Sequence, residues 1–199
     1  MKQNVAILLF DDVEVLDFAG PFEVFAVTDE LRGYETFNVF TVAAELRPIR
    51  ARNGLTVIPG HGFDSCPAPG LLVVPGGFGT RALLKNESVL AWLRTQAAHA
   101  GIVMSVCTGS LVLAQAGLLD GLRATTHHEC FPLLRRLAPR TEVVENERFI
   151  DNGKILTAAG ISAGIDCSLH IVGQLLGAAV AAKTARYMEY GKMAEGLKS

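Results

Sequence analysis

Three short stretches of this chain are apolar along nearly their whole length and end in glycine, proline or small residues: 5–10 (VAILLF), Leu71–Val74 (LLVV) and Ile102–Val106 (IVMSV). A strand with one face in water alternates apolar with polar residues. A run that stays apolar on successive residues needs cover on both faces, which is the condition of a strand inside a parallel sheet. Parallel neighbours cannot be joined by a tight turn, so each strand must be followed by a crossover. Helical patterns stand in those places: 20–27 after the first run, 88–98 after the second with Val89, Leu90, Trp92 and Leu93 as its apolar side, and 109–116 after the third. Phe37–Ala43 and 54–58 read as further strands, and 148–157 reads as a hairpin turning at Asn152-Gly153. A last helix runs from a Ser162 cap to about Tyr190, with an Ala-rich, Gly-interrupted middle suited to close packing. This alternation predicts an α/β fold, a three-layer α/β/α sandwich on a mainly parallel sheet. The 199 residues, half of them hydrophobic, suit one domain over 1–199.

Charge excludes several function classes. Lys and Arg number 18 against 20 Asp and Glu, and they are scattered, so no clustered basic field invites nucleic acid or an anionic membrane. The longest uncharged run, 167–182, contains His170, Gln174 and two glycines and falls short of the roughly 20 apolar residues of a bilayer span. The N-terminus reads as a first strand and not as a secretion signal. Four cysteines (Cys66, Cys107, Cys130, Cys167) form no Cys-x-x-Cys pair, which predicts reduced thiols in a cytoplasmic protein.

One cysteine stands apart. Cys107 follows the 102–106 strand and precedes Thr108-Gly109-Ser110 at a helix start, the grammar of a nucleophile elbow with Cys in place of Ser. Small neighbours allow the tight turn, and the helix N-terminus aimed at the sulfur favours thiolate over thiol. Cys66, Cys130 and Cys167 lack that setting and read as inert. A second loop, Pro75-Gly76-Gly77-Phe78-Gly79, ends the 71–74 strand, and an amide from Gly77 could pair with that of Thr108 as an oxyanion-type hole. No Gly-x-x-x-x-Gly-Lys pattern is present, which excludes a phosphate-cradling loop.

Among the acids after the first strand, Asp17 sits between apolar residues just ahead of Gly20 and Pro21, which suit a helix start. It reads equally as a cap of that helix or as a catalytic carboxylate. Asp11, Asp12 and Glu14 read as solvated. His127 or His128 is a candidate base for the cysteine, but adjacent side chains diverge and no second cluster completes a metal site with Cys130. Phe78, Phe131 and Ile161 are candidate pocket walls by position.

Together Leu16-Asp17-Phe18-Ala19-Gly20-Pro21-Phe22-Glu23-Val24-Phe25, Val74-Pro75-Gly76-Gly77, Ser105-Val106-Cys107-Thr108-Gly109-Ser110 and Ala124-Thr125-Thr126-His127 resemble the ThiJ/PfpI superfamily of class I glutamine amidotransferase-like domains over nearly the whole chain. The likeness is strongest to the branch holding isonitrile hydratases and the N-terminal domains of AraC-type regulators. It implies a flavodoxin-like sheet, Cys107 as nucleophile, Asp17 as its carboxylate, Thr108 with hydroxyl and amide facing the site, and the Gly76-Gly77 loop supplying an amide. His127 matches a family histidine near the site on which isonitrile hydratases do not depend. Peptidase-like members carry His where this chain has Thr108, and glyoxalase-like and deglycase-like members carry Glu where it has Asp17. The implied activity is hydration of an isonitrile to an N-substituted formamide through a cysteine thioimidate, in a homodimer, on a small-molecule substrate and without metal or organic cofactor. The alternatives are a ligand- or redox-sensing module and another cysteine-dependent hydrolase or lyase. AraC-type regulators add a helix-turn-helix domain of about a hundred residues, for which a chain ending at Ser199 has no room, so DNA binding is not expected.

Overall fold

A computed structural model describes residues 2–191; Met1 and 192–199, which belong to the expected single domain, lie outside the described residues. In chain order the elements are β1 (Gln3–Leu8), α1 (Val15–Leu31), β2 (Phe37–Ala43), β3 (Ile49–Arg50), β4 (Thr56–Val57), β5 (His61–Gly62), β6 (Leu71–Val74), α2 (Thr80–Leu83), α3 (Glu87–His99), β7 (Ile102–Val106), α4 (Gly109–Gln115), β8 (Arg123–Ala124), α5 (Phe131–Leu137), β9 (Glu142–Val143), β10 (Phe149–Asp151), β11 (Ile155–Ala158), α6 (Ala163–Leu176) and α7 (Ala178–Tyr187). Seven strands form the main sheet in the order β10-β11-β7-β6-β1-β2-β5. All neighbours in it are parallel except β10 and β11, the hairpin expected at Asn152-Gly153. The mainly parallel, helix-flanked sheet is the α/β architecture the apolar runs predicted, and it is flavodoxin-like as the resemblance implied. Every residue of β6 is fully buried, as a strand covered on both faces must be.

After β1 the chain moves outward to β2 and β5, then returns to the other side of β1 as β6. That reversal opens a crevice beyond the carboxyl ends of β1 and β6, the place where open α/β sheets hold their ligands.

Four expectations need correction. The first helix begins at Val15, five residues before Gly20, and Pro21 lies inside it. Pro21 offers no N–H to the carbonyl of Asp17 one turn back, a loss the helix accepts near its beginning. Gly20 serves packing instead: a Cβ there would lie 3.0 Å from Ile165 Cγ1 on α6. The strand expected at 54–58 shrinks to β4, paired with β3 away from the main sheet, because Asn53 (φ 61°) and Gly54 (φ 92°) turn the chain sharply. The long last helix breaks at Gly177 (φ 95°, ψ 151°), a conformation glycine adopts without steric cost, giving α6 and α7. Ser162 precedes α6 without a side-chain cap bond; its hydroxyl instead accepts from Arg148 Nη2 at 3.3 Å.

Candidate active site

Loops from the carboxyl ends of β1, β6, β7 and β11 converge on Cys107. Cys107 has φ 55°, in the left-handed region that costs a side-chain-bearing residue about 1–2 kcal/mol. Its backbone is held there from both sides. The N–H donates to Ala158 O (3.1 Å) and Ala159 O (2.7 Å), while the carbonyl accepts from Ser110 Oγ (3.1 Å) and Thr126 Oγ1 (3.0 Å). This is the strained strand-to-helix elbow read from the sequence, and it sets the side chain, 6% exposed, against a cavity of about 310 Å³.

Asp17 reaches the same place from α1. Glu14 N–H donates to Gly76 O (2.9 Å) and Val13 forms a β-bridge with Gly77, so the start of α1 is fastened to the loop after β6. Asp17, in the first helical turn, then accepts the Gly76 N–H on Oδ2 at 2.9 Å. A Cβ on Gly76 would stand 2.5 Å from Thr108 N, 2.7 Å from Thr108 Oγ1 and 2.8 Å from Asp17 Oδ2, so only glycine lets the three segments meet. The capping role left open for Asp17 is excluded: Glu14 occupies the cap position, and the Asp17 carboxylate is spent on Gly76 and not on a helix amide. Its Oδ1 is buried and has no conventional hydrogen-bond partner, and the Cys107 thiol is close enough to interact with the carboxylate. Burial raises the Asp17 pKa, the Gly76 amide opposes it, the charge of Glu14 adds to it and the Cys107 thiol opposes it; the result is about 7.

The thiolate expected at Cys107 is corrected by the same burial. Desolvation and the Asp17 charge push the thiol up to about 12, against the lowering effect of the Thr108 and Ile161 amides that reach the sulfur. Helix α4 is short, and at its start only the amide of its cap residue Thr108 reaches the sulfur, which is too little to offset removal from water. Asp17 and Cys107 thus form a carboxylate–thiol pair near neutrality.

The Gly77 amide is not free for an oxyanion. It donates to Thr108 Oγ1 at 3.0 Å, and that hydroxyl also meets Gly77 O (3.1 Å) and Thr80 Oγ1 (3.3 Å). The Gly76 amide is equally occupied by Asp17. The Thr108 hydroxyl therefore braces the glycine loop, and the donors that face the sulfur are the amides of Thr108 and of Ile161, itself at φ 52°. The role of the Ile161 backbone was not legible; its apolar side chain, 38% exposed, and that of Phe78, 63% exposed, line the cavity as expected. His127 lines it too, but its Nδ1 accepts from Glu129 N–H (3.4 Å), and it makes no hydrogen bond to Cys107. Burial and neighbouring His128 hold the His127 pKa below the usual value, so it is neutral at pH 7. Phe131 lines a neighbouring cavity of about 510 Å³ that shares His127 and Ile161 as walls, and it does not line the Cys107 cavity.

Five residues in the Cys107 cavity escaped the sequence, Glu129 beside His127 among them. Glu14, read as solvated, lines it and pairs with Arg52 (3.7 Å). Arg81 enters from α2, and Cys130, read as inert, forms part of the wall. Nothing local marks them; they arrive from elements whose packing is set by the whole sheet. All four cysteines are free, and no group of His, Cys, Asp and Glu among the described residues could hold a metal ion.

The model of the DJ-1/PfpI family matches residues 3–174. The chain belongs to that family. Within the DJ-1/PfpI family its relatives carry different roles. It is 38% identical over 193 residues to an isonitrile hydratase of Pseudomonas putida, covering 96% of this chain and 79% of that protein. It is 30% identical over 191 residues to the HTH-type transcriptional regulator GbdR of Pseudomonas aeruginosa, but there 96% of this chain spans only 52% of the regulator. Among solved structures, a ThiJ/PfpI family protein from Pseudomonas syringae superposes with a TM-score of 0.88 at 29% identity, over 100% of this chain and 80% of that one. No helix among the described residues is long and apolar enough to cross a membrane.

Proposed function

We propose that this DJ-1/PfpI chain is an enzyme that hydrates an isonitrile to an N-substituted formamide, with Cys107 as nucleophile and Asp17 as its proton carrier. The observation that carries the reading is the buried Asp17 carboxyl beside the Cys107 thiol, with a pKa of about 7 and no histidine bonded to the sulfur. The reading carries with it a small-molecule substrate and a cytoplasmic homodimer.

The terminal carbon of an isonitrile bears a lone pair and an electrophilic orbital, so it needs a nucleophile and a proton on the same atom. Ionised Asp17 takes the Cys107 proton as sulfur bonds to that carbon, and neutral Asp17 then returns the proton to the carbon, giving a thioimidate. Water adds to the thioimidate carbon as Asp17 takes one of its protons and passes it to nitrogen. Collapse of the adduct then forms the C=O bond and breaks the C–S bond, with Asp17 carrying the hydroxyl proton to the departing Cys107 sulfur. One water is consumed, and the thiol and carboxylate are regenerated. A group that must accept and give up a proton repeatedly in each cycle works best with a pKa near the working pH. The Thr108 and Ile161 amides favour negative charge on sulfur as it attacks and as it leaves.

Formamide release from an alkyl isonitrile by wild type, Cys107→Ala and Asp17→Ala tests the proposal. Turnover by wild type that both variants abolish is expected; turnover undiminished in Cys107→Ala overturns it. The likeness to GbdR favours a second reading, a ligand-sensing domain that binds a small molecule without turning it over. Saturable binding of an isonitrile or formamide with no product from wild type would favour it.

A further inference from the structure

Cys107 shares its cavity with a second thiol. Cys130 ends the short 3-10 turn His128–Cys130 and occupies the cap position of α5. It lines the same cavity as Cys107 and lies close enough to help raise the Cys107 thiol. Arg81 Nη2 donates to Cys130 Sγ at 3.6 Å, while Arg81 Nη1 is anchored on Gly77 O (3.2 Å) and Thr80 Oγ1 (3.1 Å). A guanidinium pinned to the glycine loop is thereby aimed at a sulfur for which the hydration mechanism has no use. Neither Cys66 nor Cys167 lines this cavity.

We infer that Cys130 is a resolving thiol: it captures Cys107 once a hydroperoxide has oxidised it, closing a Cys107–Cys130 disulfide that switches the site off. In the first step Asp17 takes the Cys107 proton, the sulfur attacks the distal peroxide oxygen, the O–O bond breaks, and the proton passes to the departing oxygen. The products are an alcohol, or water from hydrogen peroxide, and a Cys107 sulfenic acid. Cys130 then loses its proton and attacks the Cys107 sulfur; the S–S bond forms, the S–O bond breaks, and the hydroxide leaves as water. Arg81 stabilises the negative charge that develops on Cys130 during that attack. Two thiols and one peroxide thus give one disulfide, one alcohol and one water.

The two halves of the bridge differ in mobility. Cys107 is fixed by its φ of 55° and by four backbone hydrogen bonds. Closure therefore falls to Cys130, whose N–H bonds only to His127 O at 2.7 Å within a single 3-10 turn. The hydrogen-bond geometry of such a turn is poorer than that of an α-helix, so this is the half of the bridge that yields. The inference stands apart from the isonitrile reading, because it concerns the fate of the sulfur and not the identity of a substrate.

Disulfide mapping by peptide mass spectrometry after stepwise treatment of the wild-type protein with hydrogen peroxide tests it. The expected result is one peptide pair joining Cys107 to Cys130 with the loss of two hydrogens, reversible by a dithiol, while Cys66 and Cys167 stay alkylatable. In Cys130→Ser the bridged pair is lost and Cys107 proceeds to sulfinic acid; in Arg81→Gln the bridge forms more slowly at equal peroxide. Direct passage of wild-type Cys107 to sulfinic acid at the rate seen in Cys130→Ser, with Cys130 still free to alkylate, overturns the proposal. So does a bridge from Cys107 to any other cysteine. Mapping the wild-type chain decides the matter even if a variant fails to fold.

Discussion

Helix α1 carries a buried aspartate at each end, and the two have opposite fates. Asp29, 6% exposed in the last turn, accepts the amides of Thr36 (2.7 Å) and Phe37 (2.9 Å) on Oδ1 and the Lys2 ammonium (3.2 Å) on Oδ2. Burial pushes its pKa up, but two amides and a cation more than reverse that and hold it below the usual carboxylate value. Asp17, fully buried in the first turn, has one amide on Oδ2, no conventional partner on Oδ1 and the charge of Glu14 nearby, and it rises to about 7. The same residue type in the same helix becomes a structural tie where its hydrogen-bonding capacity is filled and a proton carrier where it is left short. Burial alone distinguishes neither.

The sharpest way to break this comparison is to neutralise each carboxyl in turn. Asp17→Asn keeps the shape and a Gly76 acceptor but cannot carry the proton, so formamide production should fall by about 10²–10⁴-fold. Asp29→Asn should leave turnover within about twofold, since Asp29 lies at the far end of a 17-residue helix from the elbow. Equal losses from the two variants in an isonitrile assay would refute the division of roles.

Stability against pH should separate them by sign. Native Asp17 holds its proton up to about pH 7, whereas the unfolded chain releases it near 3.8, so stability falls as pH rises through that window. Asp17→Asn escapes the penalty. Urea unfolding should show the variant gaining on wild type between pH 4 and 8, by up to on the order of 4 kcal/mol. Native Asp29 releases its proton below the unfolded value, so its contribution is present above about pH 4 and is lost as pH falls through the lower native value. Asp29→Ala orphans two amides and should cost about 2–4 kcal/mol at pH 7, with the deficit shrinking in acid. A parallel pH slope for the two variants would contradict the assignment.

Features that depend on contiguous residues were legible in the sequence; features that depend on meetings across the fold were not. The strands at 71–74 and 102–106 were legible because burial on both faces leaves no room for polar alternation. The elbow at Cys107 was legible because strand, nucleophile and small residues are consecutive. The hydrogen-bond state of Gly76 and Gly77 was not: Asp17 is 59 residues from Gly76, and Thr108 is 31 from Gly77. The thiol state of Cys107 was not legible either, because burial, which only the fold shows, outweighs the local effect of a helix terminus. Arg81 and Cys130, 49 residues apart, meet only after α2 and α5 have both packed against α4.

The finest test touches neither aspartate. Glu14 raises the Asp17 pKa through its charge, and Arg52, 3.7 Å from Glu14, offsets part of that charge. Because Glu14 acts on Asp17 through its charge alone and Arg52 is nearly half exposed to screening water, each effect should stay below about one pH unit. Glu14→Gln should move the ionisation that limits kcat/KM on its acid side to lower pH; Arg52→Gln should move it to higher pH. Opposed shifts of similar size, with the stability-against-pH curve of Asp17 moving in step, would tie the rate to the Asp17 proton. Shifts in one common direction would instead mean that the limiting ionisation belongs to another group in the cavity, and the contrast between the two ends of α1 would then be one of structure without consequence for chemistry.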